Sequence, residues 1–361
     1  MRTVFYFVLL FFLASLSYVV WHLWRLVPGG WVPKLLAALL FVVWMVTAFA
    51  GFWLPDKTPV PITSALSEVG YPWMIAFLYL LLAFLLADVL VLLKLIPRGS
   101  LSDNWIALAG ILGAVAVALV AGGVHYKHKY RVEMDLQTRK ALPRPLTVVL
   151  ASDLHLGYGN RKDELARWVD LINAEEPDLV LFGGDVVDMQ VRPLLEGNYA
   201  EELRRIKAPV YSVLGNHEYI GRESEAEIFF AEAGITLLRD SVARFEGIEI
   251  IGRDDRSNPG RKSISELSGP TESFTILLDH QPYHLEEAQE AGIDFQFSGH
   301  THRGQVWPLS WLTDAMYEKS WGRHRRGSTD YYVSSGLGIW GPKIRLGTRS
   351  EYLVLRISRA M

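Results

Sequence analysis

The chain contains no cysteine. That absence removes disulfides, thiolate zinc sites and cysteine nucleophiles. It fits an oxidising compartment without demonstrating one. An excess of charge is missing too: 36 Lys and Arg against 39 Asp and Glu leave a formal net charge of −3. Such a balance gives no reason to expect a nucleic-acid partner. Charge is absent altogether from four stretches, Thr3–Trp24, Leu35–Pro55, Val69–Ala87 and Asn104–Val124. Internal repeats and low-complexity segments are also lacking.

Each uncharged stretch is close to the ~20 residues a helix needs to cross a bilayer. A lone apolar stretch at the amino terminus reads as a signal peptide. Here three more follow, and no small-residue cleavage site ends the first. The sequence therefore predicts four transmembrane helices, with the bilayer as a partner. Trp21, Trp24, Trp31, Trp53, Tyr71, Trp73 and Trp105 lie near the ends of the stretches, as an interfacial aromatic belt would. Arg25, Lys34, Lys94 and Arg98 fall in the two short loops facing away from the rest of the chain. By the positive-inside rule they put the large domain outside the cytoplasm. Arg2 and the juxtamembrane run from His125 to Arg131 count the other way. Asp88 borders the third stretch. An acid at membrane depth is a functional candidate by default, but Lys94 and Arg98 lie near, and simple pairing is the expectation here.

From Leu146 the pattern changes. Leu146–Ser152, Asp178–Phe182 and Val210–Leu214 are short apolar runs, as strands buried on both faces should be. Ile248–Gly252, Phe274–Leu278, Phe295–Ser298, Asp330–Ser334 and Tyr352–Ile357 are further strand candidates. Asp163–Ala174 has helical spacing, with Leu165, Trp168, Val169 and Ile172 on one face. Glu201–Ile206 and Ile228–Ala233 also read as helical. Helices alternate with strands early and strands dominate later, which predicts an α/β domain on mixed sheets. The expected organisation is a four-helix membrane bundle over 1–125, a juxtamembrane linker over 126–145 and the α/β domain over 146–361.

Five polar clusters follow directly on strand candidates: Ser152-Asp153-Leu154-His155, Gly183-Gly184-Asp185-Val186-Val187-Asp188, Gly215-Asn216-His217-Glu218, Asp279-His280-Gln281-Pro282 and Gly299-His300-Thr301-His302. Strand carboxyl ends are where open α/β sheets place ligands. One such cluster is most simply a turn or a structural histidine. Five in one domain gather carboxylate, imidazole and amide groups that need a cation to neutralise them. Without sulfur, such a set suits Mn, Fe, Zn or Ni.

The order D-x-H, G-D-x-x-D, G-N-H-E, H, G-H-x-H resembles the calcineurin-like metallophosphoesterase superfamily, over roughly residues 146–358. Gly304-Gln305, Val333–Gly338 and Arg345-Leu346-Gly347 are similar to its membrane-associated bacterial phosphohydrolases, a branch that includes enzymes acting on UDP-diacylglucosamine. Arg303 departs from that branch, which usually has glycine there, and the four-helix anchor is not part of the shared domain. The resemblance implies a four-layer α/β/β/α sandwich of mixed sheets and two divalent metal ions. One ion would be held by Asp153, His155, Asp185 and His302, the other by Asp185, Asn216, His280 and His300. His217 would protonate the leaving oxygen, Asn216 would steady phosphoryl charge, and Asp188 and Glu218 would orient the ligands. The resemblance further implies a phosphoric ester hydrolase in a bacterial cell membrane.

The substrate is less defined. Arg303, Arg161 and Arg253 lie near the motifs and are candidates to grip a second phosphate. Val306–Tyr317 is apolar for a loop after such a motif. With Lys319, Arg323, Arg325 and Arg326 behind it, that segment suits either a lipid surface or packing against the transmembrane helices. A phospholipid or lipid-linked phosphate is the expected substrate. Hydrolysis of soluble phosphomonoesters or diesters, and a non-catalytic metal-bound sensor or scaffold, remain open.

Overall fold

The computed structural model describes residues 2–54 and 57–360. Pro55, where the second uncharged stretch ends, lies outside them. The chain divides into two compact units. One holds the chain up to Val124 together with Gly341–Ile344, and the other holds His125–Trp340 and the chain from Arg345.

The first unit is helical: Arg2–Leu26, Trp31–Trp53, Val60–Gly70, Pro72–Leu92 and Trp105–Lys127. Among the described residues, four segments are long and apolar enough to cross a membrane, Phe5–Leu26, Trp31–Phe49, Val60–Leu92 and Trp105–Lys127. The third is broken in two because Pro72 opens a new helix at Tyr71. Val19, Leu23, Trp73, Leu80 and Phe84 form the core of this unit. Asp88 lies inside the helix Pro72–Leu92 rather than after it. Its carboxylate accepts the Tyr18 hydroxyl at 2.7 Å and lies 3.1 Å from His22 Nε2. The partners are thus aromatic neighbours on the first helix, not Lys94 or Arg98.

The second unit contains twelve strands: β1 (Lys129–Thr138), β2 (Leu146–Ala151), β3 (Leu179–Phe182), β4 (Val210–Ser212), β5 (Thr236–Leu237), β6 (Ser241–Phe245), β7 (Ile248–Gly252), β8 (Phe274–Leu278), β9 (Phe295–Ser298), β10 (Gly322–Arg326), β11 (Thr329–Val333) and β12 (Ser350–Arg359). They form two six-stranded mixed sheets, ordered β1-β12-β2-β3-β4-β5 and β10-β11-β9-β8-β7-β6. β2 to β5 run parallel to one another, as do β7, β8, β9 and β11.

The sheets share one core. Val148, Leu150, Leu181 and Leu355 of the first meet Ile250, Ile276, Phe295 and Phe297 of the second. Helix Lys162–Ala174 buries Leu165, Trp168, Val169 and Ile172 on the outer face of the first sheet, against Val149 and Phe182. Ile264, Leu285 and Ala288 cover the other outer face against Ile251 and Leu277. Helix, sheet, sheet, helix is the four-layer arrangement that the resemblance implies. Each large apolar side chain buried here contributes about 1.5–3 kcal/mol.

The linker assigned to 126–145 needs correction. Residues 129–138 are strand β1, paired in parallel with β12 from Lys129↔Ser350 to Thr138↔Arg359. Met134 and Leu136 alternate with exposed Glu133, Asp135 and Gln137, so one face of the strand enters the inter-sheet core.

Candidate metal centre

The polar clusters meet where parallel strands of both sheets end. β2, β3 and β4 deliver Asp153, His155, Asp185, Asn216 and His217; β8 and β9 deliver His280, His300 and His302. The backbone bends sharply as each strand ends. Asp153 (φ 56°), His155 (45°), Asp185 (52°), His300 (70°) and His302 (46°) all adopt left-handed conformations. Asp and His tolerate that region better than bulkier residues, at a cost of about 1–3 kcal/mol each. These are five of the fifteen non-glycine residues with positive φ among those described, and strain gathered on candidate ligands supports a functional reading of them.

The loops are cross-braced by their own carboxylates. Asp153 accepts the Ser152 hydroxyl at 2.5 Å and the His300 N–H at 3.0 Å. Asp185 accepts the His217 N–H at 2.8 Å. Buried Glu218 accepts the N–H groups of Gly215, Val187 and Asp185 at 2.8, 2.9 and 3.2 Å. The approach is so close that a Cβ on Gly215 would lie 2.2 Å from Asp185 Oδ1, and one on Gly299 would lie 2.3 Å from Asp153 Oδ2. Only glycine fits at either place.

Three groups of potential ligands result among the described residues. Two share no residue, Asp153, His155 and His302 in one and Asp185, His280 and His300 in the other; the third, His155, Asp185 and His217, takes a residue from each. The ligand atoms of every group lie within 4.8 Å of one another. His155 Nε2 lies 3.1 Å from His302 Nε2 and 3.7 Å from Asp185 Oδ2, so Asp185 reaches both groups. The Asn216 amide oxygen is 2.7 Å from His300 Nδ1.

These residues fit divalent cations. His280 Nδ1–H donates to the Gly183 carbonyl at 2.7 Å. That bond leaves Nε2 buried, without a hydrogen-bond partner, 3.1 Å from Asp185 Oδ2. Fixing one ring nitrogen on a carbonyl while the other faces a carboxylate is how metal-binding histidines are oriented. The electrostatics agree. Burial opposes charge on His280, yet Asp185 outweighs it and drives the ring well above its ordinary pKa. The carboxylates thus demand positive charge at this point. Burial pushes His300 down to about 4, helped by His280, and drives His302 well below its ordinary range. Both rings are neutral and can donate lone pairs.

His217 is different. Its Nδ1–H donates to Asp188 at 2.9 Å, and its ring packs edge-on to His155 at 4.5 Å. Burial lowers its proton affinity, but Asp185 and the Asp188 hydrogen bond prevail and raise it to about 9. Held by a carboxylate, it keeps its proton to higher pH than a free imidazole does.

The arginines separate. Arg303 follows His302 and stacks on Trp321 at 4.2 Å. Arg161 precedes helix Lys162–Ala174 and lies 3.6 Å from Asp163, half-exposed. Arg253 is buried between Asp279 and Glu287 at 3.2 and 2.7 Å, and so supports the β7–β8 loops rather than a ligand. Sequence reasoning gave no role to Asn160 or Arg345. Asn160 donates to the carbonyls of Leu154, His155 and Ile339. Fully buried Arg345 donates to those of His302, Ser335 and Gly338. Both clamp ligand loops through backbone carbonyls, a role that the quoted segment Arg345-Leu346-Gly347 did not reveal and that nothing in the sequence suggested for Asn160.

Residues 146–304 match the family model described as calcineurin-like phosphoesterase. An uncharacterised metallophosphoesterase of Helicobacter pylori is 32% identical over 228 residues, 60% of this chain and 60% of that one. A transmembrane protein with metallophosphoesterase domain from Danio rerio is 31% identical over 286 residues, 73% of this chain and 65% of that one. The uncharacterised metallophosphoesterase YkuE of Bacillus subtilis is 30% identical over 275 residues, 69% of this chain and 96% of that one. The chain therefore spans about 60% of the length of the Helicobacter relative.

Proposed function

The protein belongs to the calcineurin-like phosphoesterase family, and we propose that it is a membrane-anchored phosphoesterase using two divalent ions on a lipid or lipid-linked substrate. The observation that carries the chemistry is the pair of Asp/His groups sharing Asp185. Asp153, His155, Asp185 and His302 would hold one ion, and Asp185, Asn216, His280 and His300 the other. Such ions, of which Mn, Fe, Zn and Ni suit these ligands, lower the pKa of water and offset charge on phosphoryl oxygens. The chain does the rest. Asp188 holds the His217 imidazolium by Nδ1–H and leaves the other ring nitrogen to deliver its proton. As the water oxygen bonds to phosphorus, the phosphorus–oxygen bond to the leaving group breaks. That oxygen takes the His217 proton, and the proton of the attacking water goes to solvent. Glu218 keeps the Asp185 and Asn216 loops in register throughout.

The lipid reading is supported by the helix Leu309–Met316, which begins seven residues after His302. Trp311, Leu312 and Met316 on it are 65%, 58% and 56% exposed, as is 46% of Trp307 just before it. Exposed tryptophan and leucine on a short helix suit the interface of a bilayer, and this chain carries its own membrane spans. Comparison of lipid extracts from cells making the active chain or Asn216→Ala is the test. A phosphorylated lipid should accumulate with the variant. An unchanged lipid profile, together with turnover of soluble esters only, would sink the lipid reading. Removing the ions with a chelator should abolish hydrolysis, and adding Mn back should restore it.

We assign the domain to the extracytoplasmic face of a bacterial cell membrane, on the strength of the basic loops. Protease added to spheroplasts should then degrade it. Protection until the membrane is permeabilised would reverse the assignment.

A further inference from the structure

Residues 334–340 run against the first ligand loop. The N–H groups of Leu337 and Gly338 donate to the carbonyls of Ser152 and Asp153 at 3.0 and 3.1 Å. Asn160 donates to the Ile339 carbonyl at 2.8 Å, and Arg345 to those of Ser335 and Gly338. The approach is close: a Cβ on Gly338 would lie 2.3 Å from the Leu154 carbonyl oxygen. Backbone bonded this densely to the ligand loop fixes the side chain that ends the segment.

That side chain is Trp340. Its indole is partly exposed and lies edge-on to the His217 imidazole, with ring centroids 6.0 Å apart. His217 is otherwise held by Asp188 and packed on His155. No lysine or arginine bonds to it or stacks on it among the described residues. Ile220, one helical turn after His217, is 61% exposed and extends the apolar surface on that side of the short helix Asn216–Ile220. A leaving oxygen that takes the His217 proton must come within about 2.6–3.2 Å of the ring nitrogen. The carbon atoms bonded to that oxygen then reach contact range of the neighbouring indole, about 4–4.5 Å.

We propose that Trp340 is a specificity-determining residue, a wall on which the leaving group packs, so that the bond broken joins phosphorus to an apolar alcohol. This rests on the phosphoesterase reading above and adds the side of the bond on which the apolar part lies. The water oxygen bonds to phosphorus, and the phosphorus–oxygen bond to the alcohol breaks. The alcohol oxygen keeps that electron pair, takes the His217 proton and departs neutral. An uncharged alcohol gains from the indole by area removed from water and by ring contact. A leaving phosphate would bring charge to a ring that no guanidinium or ammonium accompanies. The sequence segment Val333–Gly338 that carried the resemblance stops two residues short of Trp340. The alcohol belongs either to a lipid or to a soluble ester, and both present hydrocarbon beside the scissile oxygen.

The test uses the full chain in detergent, loaded with Mn. Hydrolysis is compared for methyl phosphate and 2-phenylethyl phosphate, and for the methyl diester of each. The two alcohols differ little in acidity, so the comparison reads contact rather than leaving ability. Native chain should prefer the 2-phenylethyl esters about 30-fold in kcat/KM, chiefly through KM. The mixed diester should release 2-phenylethanol rather than methanol. Trp340→Ala should shrink the preference to about 3-fold, and Trp340→Phe, which keeps a ring, should retain about 10-fold. Native chain that treats the two alcohols alike overturns the wall, whether or not the variants fold. A Trp340→Ala variant that keeps the whole preference overturns it too. Turnover of dioleoyl phosphatidate in mixed micelles above that of 2-phenylethyl phosphate identifies a lipid alcohol, and the reverse a soluble one. Calorimetry with 3-phenylpropylphosphonate and ethylphosphonate, which cannot be hydrolysed, reads the wall without chemistry. Native Kd should be about 10-fold lower for the first, and equal values overturn the wall. Native chain that shows this binding preference but hydrolyses none of the esters overturns the phosphoesterase reading and supports the wall.

Discussion

Replacing Asp185 by asparagine is expected to abolish metal-dependent hydrolysis and to release at least one bound ion. Its carboxylate lies 3.1 Å from His280 Nε2 and 3.7 Å from His155 Nε2, reaching both ligand groups. Asparagine preserves the shape and can still accept the His217 N–H, so the loops should stay folded. The negative charge shared between the groups is lost. Burial resists ionisation of Asp185, but His280 and His217 outweigh it and hold its carboxyl well below the usual range. The site is therefore built around this one charge. The loss in kcat/KM should be on the order of 10³-fold or more, about 4 kcal/mol of transition-state stabilisation. Elemental analysis of purified variant and native chains checks the metal content beside the rate. A variant with the full complement of ions and native activity would remove Asp185 from the centre.

His217→Gln should lower kcat by about 10²–10⁴-fold while the bound metal remains. The imidazole donates to Asp188, and the two ligand groups that share no residue are complete without it, although it joins His155 and Asp185 in the third. Its proton is the quantity that matters. Asp185 and Asp188 overcome burial to raise its pKa to about 9 in the metal-free site. Cations bound beside it oppose that charge and bring the value down. The alkaline limb of kcat should therefore fall between the ordinary imidazole value of about 6.5 and about 9. Glutamine should flatten the limb, and an unchanged limb would assign the titration to another group. The same shift has a sign for folding. A histidine raised in the native state stabilises the metal-free protein fully below its unfolded value. That contribution is lost as pH rises through about 9. Thermal unfolding of metal-free native and variant chains across this range reads the difference.

Much of this architecture was legible because it is written in contiguous residues. β2, β3 and β8 are buried along almost their whole length and read as runs that are apolar but for one threonine in β2 and one in β8, and β9 is buried throughout with Phe295 and Phe297 marking it. Each is followed by the polar residue its end presents. β10 is opaque for the opposite reason: Gly322–Arg326 is an edge strand of mostly basic residues, which no hydrophobic pattern marks. β1 lies between these cases. Val132, Met134 and Leu136 do alternate with polar neighbours, but the basic run before them made the segment resemble a linker. In the site, side-chain ligands could be listed from motifs. Asn160 gave no signal, and Arg345, although part of a segment that carried the resemblance, gave no role. They act on carbonyl groups, and every residue has one.

The left-handed backbone at Asp153, His155, Asp185, His300 and His302 bears on how such a domain ages over generations. Each of these positions is held by two independent demands, a donor atom at the tip and an unfavourable twist at the base. A lineage that ceased to need the ions would be released from both together. Glycine or asparagine there would relieve the twist and raise thermal stability as it erased the chemistry. Loss of activity in this fold is thus a downhill slide, and its recovery requires several uphill steps at once. Chains that still carry all five residues in this conformation are held there by use.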